Sequence, residues 1–336
     1  MASKNTLYVT ESGMAVKPIR AVFLKILGVD FIFKTFNVRA YQKFQDAFAQ
    51  GLVDADTKLM LFEVGGQSVT LLQTQMAYHH VAQGQLNGNA WAAFLCVCCN
   101  MGTTVTPIIN EQIHHFRVTG IYNGMSIMSD DESKSVWEHI TGECIKGPLQ
   151  GTRLETRPAQ YLTAAQVLET TPDALIAISK PSLFAHLSHF LLLRHMLNSK
   201  GYMPGLFRLS MTKKDDRLAE LELGLGVWIG GYARYYPMQT INANDNAILD
   251  TLNQHQILVY IDPATQVPTA HISPSQIQGW DNDVLVLESG ERIHNGYVLN
   301  GDSKKTPIER PNQQFTRWYA FSYMFPTCEI YAEGGL

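Results

Sequence analysis

The sequence predicts an α+β protein: two degenerate copies of a mainly antiparallel β-rich unit with short helices, joined by a helix at about 180–198. Three observations lead there. Apolar runs of strand length alternate with turn signals such as Gly65-Gly66, Asn87-Gly88-Asn89 and Gly230-Gly231. One segment alone, Lys180–Asn198, carries a long helical apolar face. The two halves also echo each other. A chain of 336 residues exceeds one ordinary core, so two lobes are expected. The boundaries drawn are an N-terminal extension at 1–44, a first lobe at 45–179, a connecting helix and loop at 180–214, and a second lobe at 215–336.

Taken in order, Val22–Leu27 and Val29–Phe36 are apolar and can cover a core edge. Gln42–Gln50 reads as a short amphipathic helix, and Leu59–Val64 as a strand that ends at Gly65-Gly66. Ala90–Val97 is a buried strand with cysteines at its end. Ile113–Thr119 alternates, so His114 and His115 face opposite ways. Met125–Met128 is a strand, Thr163–Glu169 a short helix, and Pro172–Ile178 closes the first lobe. In Lys180–Asn198, Pro181 suits a first turn, and Leu183, Phe184, Leu187, Phe190 and Leu191 share a face. His186 and His189, three apart on it, read as partly exposed helix residues rather than metal ligands. Leu221–Ile229, Leu258–Ile261, Val284–Leu287 and Tyr297–Leu299 are strands of the second lobe, which ends in the aromatic run Phe315–Tyr331.

A shift of 166 places Gly65 on Gly231, Leu86-Asn87 on Leu252-Asn253, and the Ala90–Leu95 strand on Gln256–Ile261. The lobe ends need another shift, which pairs Pro172 with Pro326 and Ile176 with Ile330. In the first register Cys96 falls on Asp262, Cys99 on Thr265, and His79-His80 on Asp245-Asn246. Soft ligands therefore belong to the first copy alone, and the second reads as scaffold.

Composition excludes several function classes. Net charge is −4 with no basic block, so nucleic-acid binding lacks its electrostatic footprint. Arg20 and Lys25 interrupt the apolar N-terminal stretch, so neither a signal peptide nor a transmembrane helix is expected. Five cysteines, three of them within Cys96–Cys99, favour free thiols in a reducing compartment, and the expected location is cytoplasmic. No GxGxxG precedes a helix, and no phosphate loop, HExxH or GxSxG is present, so no nucleotide cofactor is expected. The partners expected are a metal or a small molecule, and an oligomer is allowed.

The chemistry concentrates at Ala90–Pro107, AWAAFLCVCCNMGTTVTP. Cys96 and Cys99 form a Cys-x-x-Cys pair at a strand end, with His79-His80 before it and His114-His115 after it. Such thiolates bind soft metals, cycle as a dithiol or attack a substrate. Three readings stand open. The first is a soft-metal site of Cys96, Cys99 and one of His79 or His80, with copper, zinc or iron and an open position for redox or lyase chemistry. The second is metal-free thiol chemistry by Cys98 or Cys99, with His139 as a catalytic partner and Trp137 as a pocket wall. Here Cys98-Cys99-Asn100-Met101-Gly102 resembles organomercurial lyases, in which a cysteine precedes a turn glycine. The third is a non-enzymatic binding or structural protein. Asp130, Asp131 and Glu132 read as a solvated turn rather than an acid/base site.

Several of these residues match a family pattern. Cys96-Val97-Cys98-Cys99-Asn100 is similar to a Cys-Pro-Leu-Cys-Asn segment, and Thr119-Gly120 to a Ser-Gly strand. Asp130, Ser133, Ser135, Trp137 and Gly142 follow Asp-x-x-Thr-x-Ser-x-Trp-x-Gln-x-x-Gly, and Ile145, Gly147 and Gly151 an Ile-x-Gly-x-x-x-Gly run. Later, Asp216-Arg217-Leu218, Tyr236-Pro237 and the Trp-Tyr-Ala-Phe run before Phe325-Pro326-Thr327 continue the match. The chain thus resembles the DUF3179 family over roughly residues 45–334, departing from it at Val97-Cys98 and at His139, where Gln is usual. That resemblance implies a fold grouping and brings no activity.

Overall fold

Tight hairpins generate most of this molecule. The computed structural model describes residues 8–17, 22–23, 33–180, 201–212, 214–300 and 304–332. At Gly65-Gly66, Asn87-Gly88, Asn123-Gly124 and Asn295-Gly296 both central residues have positive φ, the geometry that matches the right-handed twist of a two-residue hairpin. The hairpins build six sheets of three to five strands, arranged as a six-bladed β-propeller that is 46% strand and 14% helix.

Three blades come from each half of the chain. In the first half, the hairpin Lys58–Val64/Gln67–Leu72 starts one blade and Val81–Leu86, Asn89–Cys96 and Met101–Val105 form the next. Phe116–Tyr122, Met125–Asp130, Val136–Trp137 and Cys144–Lys146 form the third. The chain then returns: Gln160–Thr163 adds antiparallel to Lys58–Val64, and Leu175–Ala177 adds parallel to Gln67–Leu72. The second half repeats that course. Leu223–Ile229 pairs with Tyr232–Pro237, and Ala247–Leu252, His255–Ile261 and Pro268–Ile272 make the next blade. Five strands from Ile277 to Pro307 follow. Asn312–Arg317 then returns to Leu223–Ile229, and Glu329–Ile330 adds parallel to Tyr232–Pro237.

This corrects the α+β expectation. The short helices, Phe44–Ala49, Gln73–His79, Ala164–Thr170, Gly205–Ser210, Met238–Ala243 and Trp318–Met324, are connectors of six or seven residues rather than a layer. As stated, with α+β lobes and a joining helix, the internal repeat does not hold. What recurs at the 166-residue offset is a succession of blades, down to single bonds. Leu95 N donates to the His80 carbonyl, and Ile261 N donates to that of Asn246, with His80 and Asn246 both at φ 60°. Residues 181–200, including most of the expected helix and both His186 and His189, lie outside the described residues. Among the described residues no helix is long and apolar enough to cross a membrane.

The largest apolar cluster spans both halves, from Met60, Trp91 and the cysteines to Tyr235, Trp318 and Phe321. Strand Leu223–Ile229 crosses it, and a Cβ added at Gly226 would meet the Phe321 ring at 2.1 Å. That ring in turn packs on Tyr235 and Phe325 with centroids 5.5 and 4.8 Å away, so it has nowhere to retreat. Gly226→Ala is therefore expected to cost about 1–3 kcal/mol through overpacking. The check is a lowered urea midpoint at unchanged slope; an unchanged midpoint would contradict the close approach.

Candidate metal centre

The cysteine turn sits at the inner end of a hairpin. Strand Asn89–Cys96 pairs with Met101–Val105, with Cys96 opposite Met101, and Asn100 takes φ 56° to close the turn. Cys96, Cys98 and Cys99 are all buried and free. The turn is held from the other half of the chain, where Thr316 Oγ1 and Arg317 N donate to the Cys99 carbonyl at 2.8 and 3.1 Å.

A second arm delivers His139. Its base is the Asp130 carboxylate, which is fully buried. Asp130 accepts from Ser133 N, Ser133 Oγ, Ser135 N, Trp137 Nε1 and His114 Nδ1 at 2.5–3.1 Å. Burial alone would raise its pKa, but the bonds from Trp137, Ser133 and His114 outweigh that and hold the carboxyl below its ordinary range. Next, Glu138 gathers the loop: its carboxylate accepts from the backbone N–H groups of Ile140, Thr141 and Glu143 and from the Thr141 hydroxyl. In this case burial wins and the carboxyl is raised despite those donors. Gly142 finishes the loop at φ 74°, where a Cβ would strike the Leu154 carbonyl at 2.8 Å.

Between these anchors His139 is oriented by one bond. Its Nδ1 donates to the Ser126 carbonyl at 3.0 Å, which leaves Nε2 with the lone pair. That Nε2 is buried and has no hydrogen-bond partner. Burial pushes the imidazole down to about 4, the Ser126 bond only partly opposing, so it is neutral at pH 7. The donor atoms of Cys96, Cys99 and His139 all lie within 4.8 Å of one another, a group that could hold a metal ion. The two thiols differ. Burial would raise Cys96, but hydrogen bonds from Cys99 and from Ser126 prevail and push it down to about 6. Burial, the shared hydrogen bond and the charge of Cys96 drive Cys99 well above the ordinary thiol range. The coupled pair thus titrates as a unit, its first proton lost more easily than its second.

The histidine in this group is not the one nearest in sequence to the cysteine strand. His79 Nδ1 donates to the Lys34 carbonyl and its Nε2 accepts from Ser179 Oγ at 2.8 Å, so neither nitrogen offers a lone pair. His80 sits at the left-handed end of its helix with its ring on Phe33, centroids 4.3 Å apart. The group brought together with Cys96 and Cys99 thus contains His139 and neither His79 nor His80. Cys98 is buried, raised by that burial and by Cys96, with Arg317 opposing. Trp137 serves Asp130 and packs edge-on against Phe116 inside the core. The Asp130–Glu132 turn is not simply solvated either, since Asp130 is buried; His114 is buried beside it, while exposed His115 pairs with Glu132. A signal for His139 stood in the sequence: Trp137 and His139 on one face, behind a run of Asp130, Ser133 and Ser135 able to fix them.

The chain belongs to DUF3179, a family described as protein of unknown function, whose model matches residues 40–328. Neither the curated proteins nor the solved structures contain a match to it. The Asp-x-x-Ser-x-Ser-x-Trp stretch that marks the resemblance is the His139 arm just described.

Asp130→Asn removes the charge that five donors share. Because the folded pKa lies below the unfolded one, this carboxylate stabilises the fold fully above the unfolded value of about 3.9 and loses that contribution as pH falls through the folded value. The variant is expected to lose about 2–3 kcal/mol at pH 7. Its deficit relative to the native chain should shrink on acidification below about pH 4, as followed by urea unfolding at stepped pH. A constant deficit across pH would remove the charge from the explanation.

Proposed function

We propose that Cys96, Cys99 and His139 bind one soft or borderline transition-metal ion, copper, zinc or iron, and that this buried centre supports redox or lyase chemistry on a small molecule. The observation that carries the reading is the His139 ring: a neutral imidazole, Nδ1 tied to a carbonyl, Nε2 buried and unpartnered beside two thiols. Metal-bound histidines characteristically donate their other N–H to a carbonyl or carboxylate, which fixes the tautomer. An orphaned buried acceptor costs about 1–3 kcal/mol, a cost a metal ion would offset. Cys96 is already biased toward thiolate, so binding would need to expel chiefly the Cys99 proton. Tetrahedral bonds of ~2.3 Å to sulfur and ~2.0 Å to nitrogen put ligand atoms under about 4 Å apart. The donor atoms here lie within 4.8 Å of one another, so binding would draw them closer. Three protein ligands leave a fourth position open, as in catalytic rather than structural sites.

Metal analysis of the purified protein, with and without reconstitution by zinc, copper(I) or iron(II), is expected to find about one ion per chain. Cys96→Ser and Cys99→Ser should each lose it, with at least ~10-fold weaker retention against a chelator. Cobalt(II) loading should give sulfur-to-metal charge-transfer absorption that disappears in Cys99→Ser. No bound metal after reconstitution would sink the reading. Rapid alkylation of Cys96 in such metal-free protein would instead assign thiol chemistry.

A further inference from the structure

A cleft of about 240 Å³ lies between the halves of the chain, walled by residues from both, among them Arg157, Tyr161, Tyr260, Asp262, Arg310 and Gln314. It is separate from the three metal-ligand candidates, none of which lines it. Its volume is below the ~300–1,000 Å³ of pockets for drug-sized ligands, so it suits a smaller molecule.

Its walls hold two buried hydroxyls without hydrogen-bond partners, those of Tyr161 and Tyr260, and also a cation. Tyr260, 3% exposed, is the one whose hydroxyl feels that cation's charge. The cation is Arg310, which donates to Thr269 Oγ1 at 3.0 Å, and among the described residues no carboxylate lies within ion-pair distance of it. Asp262, the carboxylate of the cleft wall, is occupied: it accepts from Ala264 N, Thr265 N, Thr265 Oγ1 and Gln166 Nε2 at 2.8–3.1 Å. Arg157, by contrast, is bound by Glu155. Burial holds the Arg310 guanidinium below its ordinary range, with Tyr260 and Asp262 only opposing. Arg310 and Tyr260 both line the same cleft, so the cation and this orphan hydroxyl share one neighbourhood; burial raises Tyr260, and the charge of Arg310 opposes that rise.

We propose that this cleft is a binding site for a small oxyanion, a carboxylate or a phosphate, which pairs with the Arg310 guanidinium and accepts a hydrogen bond from the Tyr260 hydroxyl. A planar guanidinium recognises both oxyanions through paired N–H donors. A hydroxyl donor on the same oxyanion removes the cost of leaving that hydroxyl buried without a partner.

Isothermal titration at low ionic strength, with sodium phosphate and sodium succinate as separate probes and chloride at matched ionic strength as the control, tests this. One site per chain is expected for at least one probe and none for chloride. Binding of phosphate alone assigns a phosphate ligand; binding of succinate alone, or of both, assigns a carboxylate-tolerant site. Arg310→Gln and Tyr260→Phe should each weaken binding at least ~10-fold. Tyr260→Phe removes a single unpartnered oxygen, so it keeps the test valid should Arg310→Gln unfold. No heat with either probe, or affinities unchanged in Tyr260→Phe, overturns the proposal. Metal content measured on the same samples should be unaltered, so failure here and failure of the metal reading are separate results.

Discussion

One carbonyl of the first half, that of Cys99, receives two donors from the second, Thr316 Oγ1 and Arg317 N. The strand that supplies them does more than clamp the turn. Asn312–Arg317 pairs along its whole length with Leu223–Ile229, Gln314 donates to Thr103 Oγ1 in the hairpin of the cysteines, and Gln313 bonds both the N–H and the carbonyl of Ala270. Each such bond is worth only about 1 kcal/mol net. Together they make the cysteine turn a property of the closed ring. The local hairpin sets Cys96 opposite Met101, and the end of the chain then fixes the Cys99 carbonyl.

Behind His139 stand two buried carboxylates with opposite titration behaviour. Asp130 is held ionised by donors that include Trp137 and His114, whereas Glu138 is raised by its burial although four donors face it. Their shared task is mechanical. One fixes the strand end before the histidine and the other fixes the loop after it, so the ring has little left to choose but its tilt. Pre-organisation of this kind is what separates a ligand group from histidines that merely lie near cysteines.

Local features were legible in the sequence and closure was not. Gly65-Gly66, Asn87-Gly88 and the strands beside them follow from turn chemistry and alternation within a dozen residues. The return of Gln160–Thr163 to Lys58–Val64, about a hundred residues away, leaves no local mark. Without it, six-residue connectors such as Phe44–Ala49 read as members of an α+β layer. The site divided along the same line. Cys96 and Cys99 stand out by spacing. Proximity in sequence favoured His79 or His80, but strand pairing carries His139 toward the cysteines through Ser126 and Trp137, since Met128 lies opposite Trp137 in the third blade.

The position equivalent to the cysteine turn in the second half shows what the fold itself requires there. After strand His255–Ile261, Asp262 takes the place of Cys96 and folds its carboxylate back onto Ala264 N, Thr265 N and Thr265 Oγ1. That turn bonds much of its own backbone, and its contacts with the other half, Gln166 Nε2 on Asp262 and Lys58 Nζ on the Thr265 carbonyl, are ordinary polar ones. Two-residue hairpins and blade pairing thus need neither thiols nor a histidine at this corner. In the first half the same corner gives up that polar turn for Cys96 and Cys99, relies on Thr316 and Arg317 to bond the Cys99 carbonyl, and faces an imidazole nitrogen with no partner. Backbone satisfaction therefore does not call for cysteines at this corner, and the proposed metal-binding role supplies a reason for them.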